Sequence, residues 1–179
     1  MQLKFLPLFA AFAGLARSVP LSTTATVSEI EGIGIGDIIN ALGLGLVTQI
    51  NVFITLDSLV TNLVSTNFNV SNPLPFELTI DRISTLAGVN GTVFANFTQS
   101  FQHFVVPPLG TANSGTFGNV LLTQGAVASL DIIPLGELDI INADVNLRAL
   151  TIGGALGIPL PIDGLKQKNV TTTYTLSLF

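Results

Sequence analysis

His103 is the only histidine in the chain, and it stands in the run Phe101-Gln-His-Phe-Val-Val106. A hydrolytic triad needs such an imidazole beside a serine and an acid, and a zinc site needs further nitrogen or sulfur ligands around it. No Gly-x-Ser-x-Gly turn is present to raise a serine nucleophile, and there is no cysteine to complete a metal shell. His103 is therefore expected on a strand face with no chemistry. Glu137 and Asp139 share one face of a regular strand, with Asp131 and Asp144 close in sequence. Paired carboxylates serve glycoside hydrolysis or calcium binding. Sugar hydrolases line their clefts with aromatic platforms, whereas this chain has no Trp and one Tyr, and no Asp-x-Asp-x-Asp-Gly loop occurs. These acids are expected to be solvated.

Gly32-Ile-Gly34-Ile-Gly36-Asp37 and Gly43-Leu-Gly45 imitate a nucleotide loop, but no strand, helix and lysine flank them in the required order. Twelve phenylalanines occupy mostly inward strand positions and could wall a cavity for an apolar ligand. Close packing is the ordinary use of buried Phe, so a solid core is the expectation. No catalytic, cofactor-binding or metal-binding residue is assigned.

Composition narrows the remaining classes. Only 9% of residues are charged, so the surface must be built from Thr, Ser, Asn, Gln and Gly. Zero cysteine excludes disulfide scaffolds, thiol nucleophiles and hydrophobin-like films, and leaves stability to hydrophobic packing. Met1–Lys4 carries a positive charge, Phe5–Ala16 is apolar, and small residues follow, which is the pattern of a secretory signal peptide with cleavage after Ala16 or Ser18. Cleavage after Ser18 leaves Arg82, Arg148, Lys166 and Lys168 against eleven acids, a net charge of −7. That charge excludes a basic face for nucleic acid or anionic lipid.

The apolar stretch Ile33–Ile54 is interrupted by Asp37, Asn40, Gln49 and Asn51, so it is not expected to span a membrane. Four glycosylation sequons begin at Asn69, Asn90, Asn96 and Asn169. The chain is expected to be secreted, extracellular or held in a cell wall.

Period-two alternation dominates the chain after a Ser/Thr-rich start. Ile50, Val52 and Ile54 oppose Gln49, Asn51 and Thr55; Val64, Phe68 and Val70 oppose Ser65, Asn67 and Asn69. Phe76, Leu78 and Ile80 oppose Glu77, Thr79 and Asp81, and Ala143, Val145, Leu147 and Ala149 oppose Asp144, Asn146 and Arg148. In the last strand Val170, Tyr174, Leu176 and Leu178 oppose a ladder of Thr171, Thr173, Thr175 and Ser177. One apolar and one polar face per strand suits antiparallel sheets on a single core.

Asn90-Gly91 predicts a tight hairpin turn, and Pro159 and Pro161 predict an edge strand. Asn119–Ile133 spaces Leu122, Ala126, Leu130 and Ile133 at helical intervals and predicts a helix ended by Pro134; Ile35–Leu46 fits a short helix or an irregular strand. Seven or more strands predict a mainly β fold, an antiparallel immunoglobulin/fibronectin-type β-sandwich with one or two short helices. The expected organisation is a leader at 1–18, a lead-in at 19–47 and the sandwich domain at 48–179.

The segment Phe68-Asn-Val-Ser-Asn72-Pro73-Leu-Pro-Phe76-Glu-Leu-Thr-Ile80, with Gly157-Ile-Pro-Leu-Pro-Ile-Asp-Gly164, resembles the late-embryogenesis-abundant group 2 proteins, also called the water-stress and hypersensitive-response domain. It also resembles secreted fungal proteins of unknown function sharing that architecture. The resemblance spans roughly Thr48–Leu178. It implies a fibronectin-type sandwich with one helix and no catalytic residues. The expected function is a non-catalytic secreted glycoprotein acting at a cell surface or wall in stress or interaction, with wall polysaccharide as a candidate partner. The alternative is a carrier of a lipid or other apolar small molecule in a cavity between sheets.

Overall fold

The computed structural model describes Asn40 and residues 45–177. The expected leader, most of the lead-in with its glycine run, and Leu178 lie outside the described residues. Eight strands follow one another: β1 Val47–Thr55, β2 Leu63–Ser71, β3 Leu78–Val89, β4 Thr92–Val106, β5 Thr111–Asn113, β6 Phe117–Leu122, β7 Glu137–Ala149 and β8 Ile158–Ser177. A short helix α1 (Leu56–Thr61) joins β1 to β2, and α2 (Ala126–Ser129) runs into a 3-10 turn at Leu130–Leu135 before β7.

The strands pair in the order β1-β8-β7-β3-β4-β6-β2, and β2 pairs back onto β1. The sheet therefore closes into a seven-stranded barrel, with β5 attached to the outside edge of β2. The sandwich expected from the strand pattern is incorrect, and so is the fibronectin-type fold that the resemblance implied. The physical reason is that alternation specifies one buried face per strand, which a barrel and a sandwich both use. Closure is a property of which strands meet, and no local pattern encodes it.

A ring of seven strands cannot alternate direction all the way round, so one neighbouring pair must be parallel. That pair is β1 and β8, joined over Ile50–Thr55 and Thr172–Ser177; every other pairing is antiparallel. Closure also needs strands that bend. β4 has 15 residues, β7 has 13 and β8 has 20, far longer than the short sandwich strands expected, and register shifts interrupt their ladders. At one such bulge β3 sets Ile80 and Arg82 against Phe104 and Ser100 of β4, and His103 takes a φ of 119°. Bulges of this kind add twist and turn a flat ladder around a corner.

The Asn90-Gly91 turn joins β3 to β4 with φ values of 50° and 81°, as the dipeptide predicts. The helix expected over Asn119–Ile133 is replaced by the end of β6, then α2 and the 3-10 turn, with Pro134 inside that turn. Val120 and Leu122 alternate inward as strand residues, so only the second half of the apparent helical spacing is helical. Pro159 and Pro161 fall in the part of β8 whose ladder partner is β7.

Two asparagines fasten the ends of the barrel. At one end Asn72 is 1% exposed; its Nδ2 donates to the carbonyls of Phe76, Val106 and Pro107, and its Oδ1 accepts the Leu74 N–H at 3.0 Å. At the other end Asn62 caps α1 in a left-handed conformation, its Oδ1 accepts the Ala126 N–H, and its carbonyl accepts the Leu122 N–H. The Asn-Pro motif of the resemblance thus has a local structural role, because Asn72 folds the β2–β3 connection onto the end of β4.

Candidate apolar binding cavity

The inward side chains do not meet at the barrel axis. They enclose a cavity of about 340 Å³ that extends from Pro73 and Leu74 at one end to Ser129 and Ile132 at the other. Its wall is drawn from β1, β2, β3, β4, β6, β7 and β8, each strand contributing its apolar face. Pro73 lines the cavity and is also exposed. Phe68, Phe101 and Phe117 meet edge-on with ring centroids 5.9–6.2 Å apart. Of these three, Phe68 reaches the cavity, so the aromatic cluster packs one side of the barrel without filling its middle. The solid core expected from the phenylalanines is thus only partly realised.

The chemistry of the wall is uniform. Among the described residues no Asp, Glu, Lys, Arg or His lines it. Hydroxyls of Thr66, Ser71, Thr85, Ser129 and Tyr174 do; Thr66 donates to the Asn51 carbonyl at 2.8 Å and Ser129 to the Gly125 carbonyl at 2.8 Å. Tyr174 differs from both. It lies on the inward side of β8, directly opposite Val52 of β1, and packs against the cluster of Val52, Ile54, Val64, Val120 and Leu122. Its hydroxyl is buried and has no hydrogen-bond partner among the described residues. Burial pushes its pKa up to about 12, so it remains a protonated donor at any physiological pH. The alternation in β8 places Tyr174 on the apolar face but carries no sign that its hydroxyl would be orphaned.

The seam between β1 and β8 is completed by side chains. Beyond the parallel pairing, Gln167 donates through Nε2 to the Val47 carbonyl at 2.6 Å and accepts the Val47 N–H at 3.1 Å. Asn40 repeats the device, donating to the Gly164 carbonyl and accepting the Lys166 N–H. Two amide side chains therefore stand where a ladder would otherwise continue. Leu46, Val47, Leu160 and Leu165 line the cavity just inside this seam.

The β7–β8 connection folds back over the outer face of β3 and β4. Glu77 accepts the Thr151 hydroxyl at 2.7 Å and the Gly154 N–H at 3.0 Å, and these two bonds hold its carboxyl below the ordinary carboxylate value. The Thr151 and Thr79 hydroxyls meet at 2.9 Å, and Thr79 is 0% exposed although it belongs to the outward face. Arg148 grips Asp81 through Nε and Nη2 at 2.8 Å each and also donates to the carbonyls of Gly154 and Leu156. That bidentate hydrogen bonding holds the Asp81 carboxyl below its usual range.

The residues first considered for chemistry are dispersed. His103 is exposed on the bulge of β4. Asp139 accepts the Asn169 N–H and Asp144 accepts the Gly164 N–H, each pinning an irregular point of β8. Among the described residues no three His, Cys, Asp or Glu side chains come together as a metal site. Among the sequon residues, Asn90, Asn96 and Asn169 are exposed. Asn69 is half-buried in a network of amides in which Asn113 donates to it at 2.7 Å and it donates to Gln49 at 3.4 Å. No helix among the described residues is long and apolar enough to cross a membrane. No family model matches the chain, and no curated protein matches it.

Proposed function

We propose that the protein is a secreted, non-catalytic carrier of an apolar small molecule held inside the barrel. The observation that carries this reading is the cavity of about 340 Å³ with its uncharged, almost wholly apolar wall. Such a volume falls within the ~300–1,000 Å³ typical of small-molecule sites. An apolar wall around such a space lacks the packing contacts that an interior of ordinary density provides. A ligand that fills it returns those contacts.

The test is binding of the neutral fluorophore N-phenyl-1-naphthylamine to the purified chain, read as enhanced emission, with and without the substitution Ala143→Phe. Ala143 is a buried cavity-lining residue on β7, so a phenyl ring there occupies the space. Saturable binding that Ala143→Phe abolishes while the fold remains intact supports the carrier reading. Absence of saturable binding to the unmodified chain overturns it.

A second reading rests on the outer face. Asn51 of β1 stands between Asn67 of β2 and Thr173 of β8, and Thr171, Thr173 and Thr175 are all exposed. Together with Gln49, Asn69 and Asn113 they make a broad uncharged array of amides and hydroxyls. Such an array suits polysaccharide, with association that is weak and nearly independent of salt. Co-sedimentation with insoluble chitin and β-glucan, repeated with Thr171, Thr173 and Thr175 changed to Lys, decides it: no pelleting, or pelleting unchanged by the lysines, removes this reading.

A further inference from the structure

The composition of the cavity wall selects the class of ligand more narrowly than size does. This step rests on the carrier reading. A carboxylate or phosphate head buried here would meet no cation, since no Lys, Arg or His lines the cavity, and an unpaired buried charge is costly. A saturated hydrocarbon would fit the wall but would leave the Tyr174 hydroxyl buried and without a partner among the described residues. An unmade hydrogen bond at a buried donor is a standing cost that a ligand acceptor can remove.

We infer that the ligand is a neutral, mainly aliphatic molecule carrying a carbonyl or ether oxygen, and that Tyr174 is the residue that recognises this oxygen by donating its phenolic proton. Tyr174 is suited to the task by position. It is held on the inward side of the parallel β1–β8 pair, packed against the cluster that contains Val52 and Ile54. The phenol remains protonated, so it presents a donor to an acceptor and offers no charge to a cation. Thr66 and Ser129 already give their hydroxyl protons to backbone carbonyls. Ser71 and Thr85 also line the cavity, and among these hydroxyls only that of Tyr174 is both fully buried and without a partner among the described residues. Recognition by one donor in an apolar tube orients a long molecule end to end and leaves its chain free of specific contacts.

The experiment measures three probes of equal chain length, undecane, 2-undecanone and undecanoate, by displacement of the fluorophore at pH 7 from the full chain and from Tyr174→Phe. In the unmodified protein the ketone is expected to bind about tenfold more tightly than the alkane, and undecanoate is expected to bind most weakly of the three. In Tyr174→Phe the ketone is expected to lose that advantage while undecane binds within about twofold of its original affinity. The undecane result also reports that the variant cavity is intact. If undecane binds and the ketone has no advantage, or keeps its advantage in Tyr174→Phe, the assignment of Tyr174 is overturned and the carrier reading stands. Preferential binding of undecanoate overturns the neutral-ligand assignment. If none of the three probes binds, the cavity reading fails and this assignment with it.

Discussion

Val52 and Tyr174 are direct partners across the parallel pair that closes the barrel, so the chain's single tyrosine sits on the one seam where strand direction fails to alternate. The hydroxyl it carries there has no partner among the described residues. In the absence of ligand, removing it relieves an unsatisfied polar group and leaves the ring packing unchanged. Ligand-free Tyr174→Phe is expected to be more stable than the unmodified protein by about 1 kcal/mol, read as a higher midpoint in urea unfolding. A lower midpoint would mean that the hydroxyl is bonded in solution.

Stability should depend on acid through the strap over β3 and β4. Glu77 is held below its ordinary value of 4.5 by the Gly154 N–H and the Thr151 hydroxyl, and Asp81 below 3.8 by Arg148. A carboxyl with a lowered folded-state pKa contributes stability above its unfolded value and loses it as pH falls through the folded one. The thermal midpoint is therefore expected to hold level from pH 7 to about 5 and to fall below about pH 4. Glu77→Gln should shrink that fall and lower the midpoint at pH 7, which melting curves across the range would measure.

Gly88 marks a point where two strands come too close for a side chain. A Cβ placed there would collide with the Thr92 carbonyl oxygen, at the register shift beside the Asn90-Gly91 turn. Backbone cannot move aside as a flexible side chain can. Gly88→Ala is expected to cost roughly 3 kcal/mol or more in urea unfolding, whereas Gly91→Asn, at a position open to solvent in the turn, should cost under ~1 kcal/mol.

Attachment of glycans should follow the freedom of each asparagine. Asn90 is exposed at a two-residue turn, while the Asn69 side chain is bonded to Gln49 and Asn113. In material exported by a eukaryotic host, peptide mapping is expected to find Asn90 occupied and Asn69 bare. Full occupancy of Asn69 would mean that the amide network opens in solution.

Much of the strand architecture was legible. Ala143, Val145, Leu147 and Ala149 face inward as their alternation predicts, and Asn90-Gly91 makes its turn, because both signals depend only on neighbouring residues. Closure was not legible, since the parallel contact of β1 with β8 joins residues about 120 positions apart and leaves no mark on either strand's pattern. Thr79 was correctly placed on the outward face, yet the β7–β8 strap buries it, an event decided by Glu77, Arg148 and Thr151 together. The cavity stood only as the alternative to a solid core, for a related reason. Inward-facing Phe and Val describe what surrounds the axis of a sheet closed on itself, and say nothing of how wide that ring will be.

The closed ring also governs how these molecules meet one another. An open sheet ends in unpaired N–H and C=O groups that can recruit a second copy and seed fibrils, a hazard for a chain this apolar. Here β1 and β2, which would be margins of an open sheet, pair with each other. The attached β5 offers only the three residues Thr111–Asn113 as a template. The stretch of β8 that has β7 as its ladder partner carries Pro159 and Pro161, which have no N–H to give, and further along it the Asn40 amide occupies the Gly164 carbonyl and the Lys166 N–H. Among the described residues, a protein with few charges to keep its copies apart thereby withholds β1 and β2 as margins on which self-assembly would begin, and the part of β4 beyond Asn96, paired to β3 alone, is the margin that remains.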